Sequence, residues 1–304
     1  MSSLIEQAAQ RLEQLRQAGV ILPDAPVQAP PQPELPPAMP AAEPESEVPA
    51  LQSKRVELDL VALAAQGFLV PTAPRTFIAD QYRVVKRPLI KNAMGKGTEK
   101  LNHGNLIMVT SALAGEGKSF TSLNLALSIA AELDNTVMLV DADVARPSVL
   151  RMLGLPQGPG LLDVLENQVD MADVLLRTNI DKLTILPSGT PHPRATELLA
   201  SDAMTALLAD MAQRYPDRII IFDSPPLLLT TESRVLASHM GQILIVVHAD
   251  KTLQGAVQQA LASIESCPVK MMLLNQAHAG SEGSYGYGYG YGYGYGYGND
   301  PKSE

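Results

Sequence analysis

Three things are scarce in this 304-residue chain. Cysteine occurs once, as Cys267, which excludes an internal disulfide and fits a reducing compartment. Its expected role is a small buried hydrophobe ahead of Pro268. Long apolar runs are missing too. The longest, such as "ILIVV" at 243–247, are strand-sized and far below the roughly 18 residues that span a bilayer. Positive charge is in deficit, with 23 Lys+Arg against 32 Asp+Glu and a formal net charge of −9. A nucleic-acid surface normally shows a basic patch, so no nucleic-acid partner is expected. The opening "MSSLIEQAAQRLEQLRQAG" has Glu6, Arg11, Glu13 and Arg16 among its apolar residues and so lacks the core of a secretory leader. The expectation is a cytoplasmic protein whose membrane role, if any, comes through a partner.

Composition divides what is present into four regions. Residues 1–20 place Leu4, Ile5, Ala8, Leu12 and Leu15 on one helical face, the pattern of a short docking helix. Residues 21–56 form a disordered linker, with proline at ten of the thirty positions from 21 to 50. Proline fixes φ and removes backbone donors, so neither helix nor sheet is expected there. A polyproline chain of that length reaches roughly 90 Å. Residues 57–280 form the folded domain, and 281–304 a Tyr/Gly-rich tail.

Within the domain, "LIMVT", "VMLVD", "LTILP", "RIIIFD", "ILIVV" and "VKMMLL" alternate with helical patterns. Continuous apolar strands belong to a sheet covered on both faces. The fold class is therefore α/β, a doubly wound, mostly parallel sheet. Between the first two strands stands "SALAGEGKSF". Gly115, Glu116, Gly117, Lys118, Ser119 and Phe120 match the end of a phosphate-binding loop, although the pattern's first glycine is Ala112 here. Glycines let backbone N–H groups turn around a phosphate, and the following helix adds its positive dipole end. Lys118 would neutralise the β- and γ-phosphates, and the Ser119 hydroxyl would meet Mg²⁺. Asp141 and Asp143 close the next strand in "VMLVDADVARP", and Asp223 closes "RIIIFD". Strand ends of a doubly wound sheet share one crevice, where buried carboxylates need a cation or a proton donor. The expected cofactors are Mg²⁺ and a nucleotide, taken to be ATP, with Ser119, Asp141 and Asp223 as metal-side residues and Lys118 on the phosphates.

These motifs, with "GLLDVLEN", "LPSGTPHPRATELLAS" and "TTESRVLA", resemble the bacterial tyrosine kinases, P-loop autokinases of polysaccharide synthesis and export. "YRVVKRP" and the N-terminal extension look most like the exosortase-associated type. The resemblance implies a P-loop NTPase fold and ATP-dependent phosphorylation of the chain's own tyrosines, in trans, within a ring-like homo-oligomer. It also implies a separate membrane activator of the polysaccharide chain-length or co-polymerase type, and a phosphotyrosine phosphatase. By the family motif, Asp141 orients or deprotonates the incoming hydroxyl and Asp143 supports the metal or its waters. The family's E-x-x-R-x-x-R assembly pattern is matched by Asp80, Arg83 and Lys86, although lysine lacks arginine's forked donor. Other departures are Ala114 for proline, Glu232 for aspartate, and His192–Pro193 for asparagine-proline. The related ParA/MinD ATPases carry a second lysine where this chain has Leu113, which speaks against their nucleotide-sandwich dimer.

The tail places Tyr285, Tyr287, Tyr289, Tyr291, Tyr293, Tyr295 and Tyr297 in strict alternation with glycine. They are the expected phosphoacceptors. Stretched out, residues 275–298 span at most about 80 Å, enough for a neighbour's site. Seven phosphates would add roughly −10 to −14 charges, enough to drive subunits of an assembly apart. An ATP-binding regulatory scaffold, a ParA/MinD-like ATPase and an adhesive tyrosine tail are the alternatives left open.

Overall fold

The computed structural model describes residues 54–71, 76–97, 101–214 and 217–277, all within the compact unit Pro49–Glu304. The proposed docking helix at 1–20, most of the linker and the tyrosine tail lie outside the described residues. Eight strands form one sheet: β1 (Lys54–Val56), β2 (Leu106–Ser111), β3 (Thr136–Asp141), β4 (Leu176–Thr178), β5 (Leu183–Leu186), β6 (Arg218–Asp223), β7 (Gln242–His248) and β8 (Val269–Asn275). Their order is β1-β4-β5-β3-β6-β2-β7-β8, and every pairing is parallel except β4 with β5. The sheet expected from the apolar runs is therefore present, extended at one edge by two short strands that the runs did not announce.

One of these corrects a boundary. Lys54–Val56 falls in the span assigned to the linker, yet it pairs in parallel register with Leu176–Thr178. A three-residue edge strand takes its stability from ladder hydrogen bonds and needs no apolar run, so composition gives no sign of it.

The strands are apolar on both sides because each side meets helices. Leu106 and Met108 of β2, Met138 and Val140 of β3, and Ile220 and Phe222 of β6 point into one core. That core is covered by α5 (Leu161–Leu165), α7 (Ala195–Leu199), α8 (Asp202–Arg214), α9 (Glu232–Ala237) and α10 (Gln254–Ala262). Ile107, Val109, Val137, Leu139, Ile219 and Ile221 point the opposite way. They meet α1 (Leu60–Ala65), α2 (Phe77–Ala93), α3 (Lys118–Ala130) and α4 (Val149–Met152). One short helix, α6 (Met171–Val174), precedes β4. The period-two alternation of strand side chains thus serves two cores at once.

Helix α3 follows the phosphate-loop sequence directly, and Thr121 through Ala130 are all buried. Helix α2 packs across it and is tied down at two points. Gln242, fully buried at the start of β7, donates to the carbonyls of Leu89 and Gly104 at 3.0 and 2.6 Å. Its own carbonyl accepts from Asn92 at 3.0 Å. Lys86 supplies the second tie: its Nζ lies 2.8 Å from Glu132 Oε1 and donates to the Ser128 carbonyl near the end of α3. Glu132 is held below the usual carboxylate range chiefly by its hydrogen bond from Lys86.

This placement corrects the expectation for Lys86 as an assembly residue. It is only 4% exposed and spends its charge inside its own chain. Asp80 and Arg83, one turn earlier, pair with each other on the exposed face of α2. An arginine-to-lysine change at 86 suits this interior, where a point charge with a flexible stem meets one carboxylate and one carbonyl. Lys86→Ala is expected to lower the unfolding free energy by about 2 kcal/mol, since it strips a half-desolvated carboxylate of its partner. Urea denaturation at pH 7 measures it, and an unchanged midpoint would contradict the assignment.

Candidate active site

Strands β3, β6 and β2 lie side by side, and their C-terminal ends form the floor of the site. Asp141 and Asp223 are direct register partners in adjacent parallel strands, and Val109 of β2 is the partner of Asp223 on its other side. The loop from Ala112 to Gly117 rises from β2 and turns into α3. Gly115 and Gly117 have φ of +83° and +92°, a region that L side chains rarely adopt. Gly117 is the N-cap of α3 and offers no capping side chain, which leaves the first N–H groups of the helix for a ligand. At Gly117 a Cβ would also come within 2.1 Å of the Asn275 side chain.

The loop is held from behind by groups distant in sequence. Glu116 is 3% exposed and faces inward. Its Oε2 accepts from the Leu113 N–H at 2.6 Å, and its Oε1 accepts from the Thr252 hydroxyl. Asn275, at the end of β8, donates to the Glu116 carbonyl at 2.9 Å, and Gln276 donates to the Gly115 carbonyl at 3.4 Å. The side chain of Glu116 therefore shapes the loop and leaves only its backbone N–H toward a phosphate. Phe120 is similar: its ring packs on Phe68 with centroids 5.1 Å apart.

Around the open side of the loop the predicted charges converge. Lys118 Nζ lies 2.8 Å from Asp143 Oδ2 and 3.4 Å from Ser119 Oγ. Asp143 Oδ1 accepts from the Arg146 N–H at 3.1 Å. Ser122 donates to Asp223 Oδ1 at 3.0 Å. Asp141 Oδ2 accepts from the N–H groups of Ser148 and Val149 at 3.0 and 2.9 Å and so anchors the first turn of α4. The other oxygens, Asp141 Oδ1 and Asp223 Oδ2, are buried and accept no hydrogen bond among the described residues. Burial is the largest cause that pushes Asp141 up to about 7, followed by the Asp223 charge, with the two backbone hydrogen bonds opposing. Asp223 is also raised by burial, against the pull of Lys118 and of hydrogen bonds from Ser119 and Ser122.

Mg²⁺ fits this donor set. Among the described residues no three His, Cys, Asp or Glu side chains form a metal cage. Mg²⁺ in a nucleotide site needs none, because phosphates and waters complete one hydroxyl and one or two carboxylates. The two orphaned buried oxygens, of which Asp223's carboxyl also interacts with Ser119, are positions where a cation would relieve a desolvation cost.

Beside the loop opens a pocket of about 540 Å³. Lys118, Ser119 and Asp143 line one side, and Met152, Pro226 and Leu229 another. Arg146 and Arg151 also line it. Of the site residues named from sequence, Gly115, Lys118, Ser119 and Asp143 line this pocket, Asp141 and Asp223 are buried at the neighbouring strand ends, and the Glu116 and Phe120 side chains turn away into the fold. Asp80, Arg83 and Lys86 sit apart on α2, and the seven tail tyrosines lie outside the described residues. Sequence reasoning missed Ser122, Thr252, Asn275, Gln276 and the two arginines. Only Ser122 carried a local signal, one helical turn after Lys118.

Comparison with known proteins defines the class. The profile of the family described as "ParA: NUBPL iron-transfer P-loop NTPase" matches residues 102–265, more than half of the chain, so this is a P-loop NTPase of that broad family. Within it, the chain belongs to the bacterial tyrosine-protein kinases. It is 31% identical over 190 residues to the tyrosine-protein kinase CpsD of Streptococcus agalactiae, covering 60% of this chain and 81% of CpsD. It is 29% identical over 223 residues to YwqD of Bacillus subtilis strain 168, covering 73% of this chain and 90% of YwqD. Of the ptk kinase of Acinetobacter johnsonii, 33% identical over 181 residues, it spans only 24%. Among solved structures, the VpsO kinase domain aligns with a TM-score of 0.54 at 26% identity, over 67% of this chain and all of that one.

The buried acids predict a pH-dependent strain. Asp141 binds its proton more tightly in the folded chain, at about 7, than at its ordinary 3.8. Its contribution to stability is therefore complete below pH 4 and is lost as pH rises through 7. Asparagine can still accept both backbone N–H groups and carries no charge. In metal-free buffer, Asp141→Asn is expected to stabilise the fold by on the order of 2 kcal/mol more at pH 8 than at pH 5. Denaturant midpoints at the two pH values check this, and an equal shift at both would contradict it.

Proposed function

We propose that the chain is an ATP-dependent tyrosine autokinase whose acceptors are Tyr285, Tyr287, Tyr289, Tyr291, Tyr293, Tyr295 and Tyr297. The observation that carries this reading is the junction of phosphate loop and tail. Asn275 bonds the loop at Glu116, and the first tail tyrosine follows ten residues later in a chain of the kinase family. The described residues fit the chemistry. Lys118 and the N–H groups of Gly115 to Ser119 would hold the phosphates, and Ser119 and Asp223 would hold Mg²⁺, which would supply charge neutralisation on the phosphates. Asp143, which pairs with Lys118, positions that lysine and the metal's waters. Asp141 orients the phenol. The tyrosine oxygen attacks the γ-phosphorus, the bond to the ADP oxygen breaks, and the phenolic proton passes to the Asp141 carboxylate.

Transfer in trans within a homo-oligomer is part of the proposal. Exposed Phe77 and Val84 on α2 and Met272 and Leu274 on β8 leave apolar surface near Asp80 and Arg83, which supports self-association there. No helix among the described residues is long and apolar enough to cross a membrane. We assign residues 1–20 to docking on a separate co-polymerase-type membrane protein at the cytoplasmic face, residues 54–280 to the kinase domain and 281–304 to the tail. A phosphatase would reset the tail, and control of exopolysaccharide synthesis or export would follow from the cycle.

With Mg·ATP, Lys118→Met and Asp141→Asn are each expected to lose phosphotyrosine by on the order of 100-fold on immunoblot. Undiminished signal in both would overturn the site. ATP binding with no phosphotyrosine in the unmodified chain would leave an ATP-binding scaffold instead.

A further inference from the structure

The arginines beside the phosphate loop have no role in the chemistry above. Neither the Arg146 nor the Arg151 guanidinium has a hydrogen-bond or ion-pair partner among the described residues, although Asp143 stands in the same pocket and is taken by Lys118. The phosphates of ATP already have a lysine and the helix N-terminus. Two further exposed guanidiniums lining the same pocket, in a chain of net charge −9, offer a second anion site beside the phosphate loop.

Local structure fixes where Arg151 sits. It belongs to α4, whose first turn is anchored on Asp141 Oδ2 through Ser148 and Val149. The carboxylate that receives the acceptor's proton thus holds the helix that carries the arginine. Acceptor and anion subsites are parts of one unit. The adjoining wall, Met152, Pro226 and the 58%-exposed Leu229, offers apolar surface on which a tyrosine ring can lie.

The tail pattern supplies the anion. In an extended chain, residues two apart point to the same side and lie roughly 7 Å from each other. If the tail binds extended, tyrosine at every second position would put the neighbours of an acceptor on the same face, and the intervening glycines add no side chain. Once one tyrosine is modified, its phosphate is presented beside the next acceptor.

We propose that Arg151, assisted by Arg146, binds the phosphate of a tail tyrosine already modified two residues from the acceptor, so that each transfer primes the next. This rests on the tail being the substrate. It adds a phosphotyrosine subsite and an order of events: a slow first transfer, then faster ones along the repeat. Arginine suits the task because its planar fork meets phosphate with two hydrogen bonds.

The test uses full-length protein, dephosphorylated beforehand, and synthetic peptides of residues 284–300. In each peptide Tyr291 is the only acceptor, with phenylalanine at the other tyrosine positions. In a second set, position 289 or 293 carries phosphotyrosine. The unmodified enzyme is expected to phosphorylate one or both phosphopeptides with kcat/KM about tenfold higher than the phenylalanine peptide. Arg151→Gln should abolish the preference, and Arg151→Lys should retain part of it. No preference in the unmodified enzyme, or a preference that survives Arg151→Gln, overturns the proposal. So does a higher KM for ATP in Arg151→Gln with the peptide ratio unchanged, which would assign the arginine to the nucleotide. If the enzyme labels its own tail and neither peptide, mass spectra at half conversion decide. Priming predicts chains with none or many phosphates, and a binomial spread rejects it. If nothing is labelled, the autokinase reading falls and this inference with it.

Discussion

Two carboxylates in register at the ends of neighbouring parallel strands set the terms for the rest of this structure. Asp141 and Asp223 are buried side by side, each with an oxygen that accepts no hydrogen bond among the described residues. Burying like charges together is costly, and the fold concentrates that cost at one point. Everything around them limits it: Ser122 on one carboxylate, two backbone N–H groups on the other, and the Lys118–Asp143 pair nearby. What remains unmet is two buried carboxylate oxygens at the strand ends below the phosphate loop, donors that a cation bound with a nucleotide would satisfy. A well-satisfied site would be more stable and would have nothing to offer ATP.

The loop above these acids must keep its N–H groups free and still hold one shape. It achieves both by being fastened on the side away from the ligand. Glu116 turns inward to Leu113 and Thr252, and Asn275 and Gln276 grip the Glu116 and Gly115 carbonyls. The grip comes from the last strand of the sheet, immediately ahead of the tyrosine repeat. The phosphate loop and the end of β8 are thus one hydrogen-bonded unit, and Asp141 links the same site through α4 to Arg151.

The central strands were legible because burial on both faces leaves a plain mark, an uninterrupted apolar run such as "RIIIFD". The loop, Lys118, Ser119 and the three acids were legible because phosphate chemistry constrains residue types at fixed spacing. What escaped depends on partners far along the chain. Strands β1 and β4 have three residues each and are held by pairing. Glu116 reads as a loop residue until Thr252 and Leu113 are seen to enclose it. Lys86 reads as a surface charge until Glu132 and Ser128, more than forty residues away, are placed against it. Arg151 carries no motif at all; only the fold brings it to the pocket.

The central claim is that the site formed by Lys118 and the three acids acts on the chain's own tail. Mass spectrometry of the full-length protein, expressed unmodified and as Lys118→Met, tests it most directly by locating each phosphate. The account predicts a ladder of phosphates confined to the tyrosines between 285 and 297 in the unmodified chain, and an unphosphorylated tail in the variant. A bare tail in both, or the same ladder in both, would contradict it.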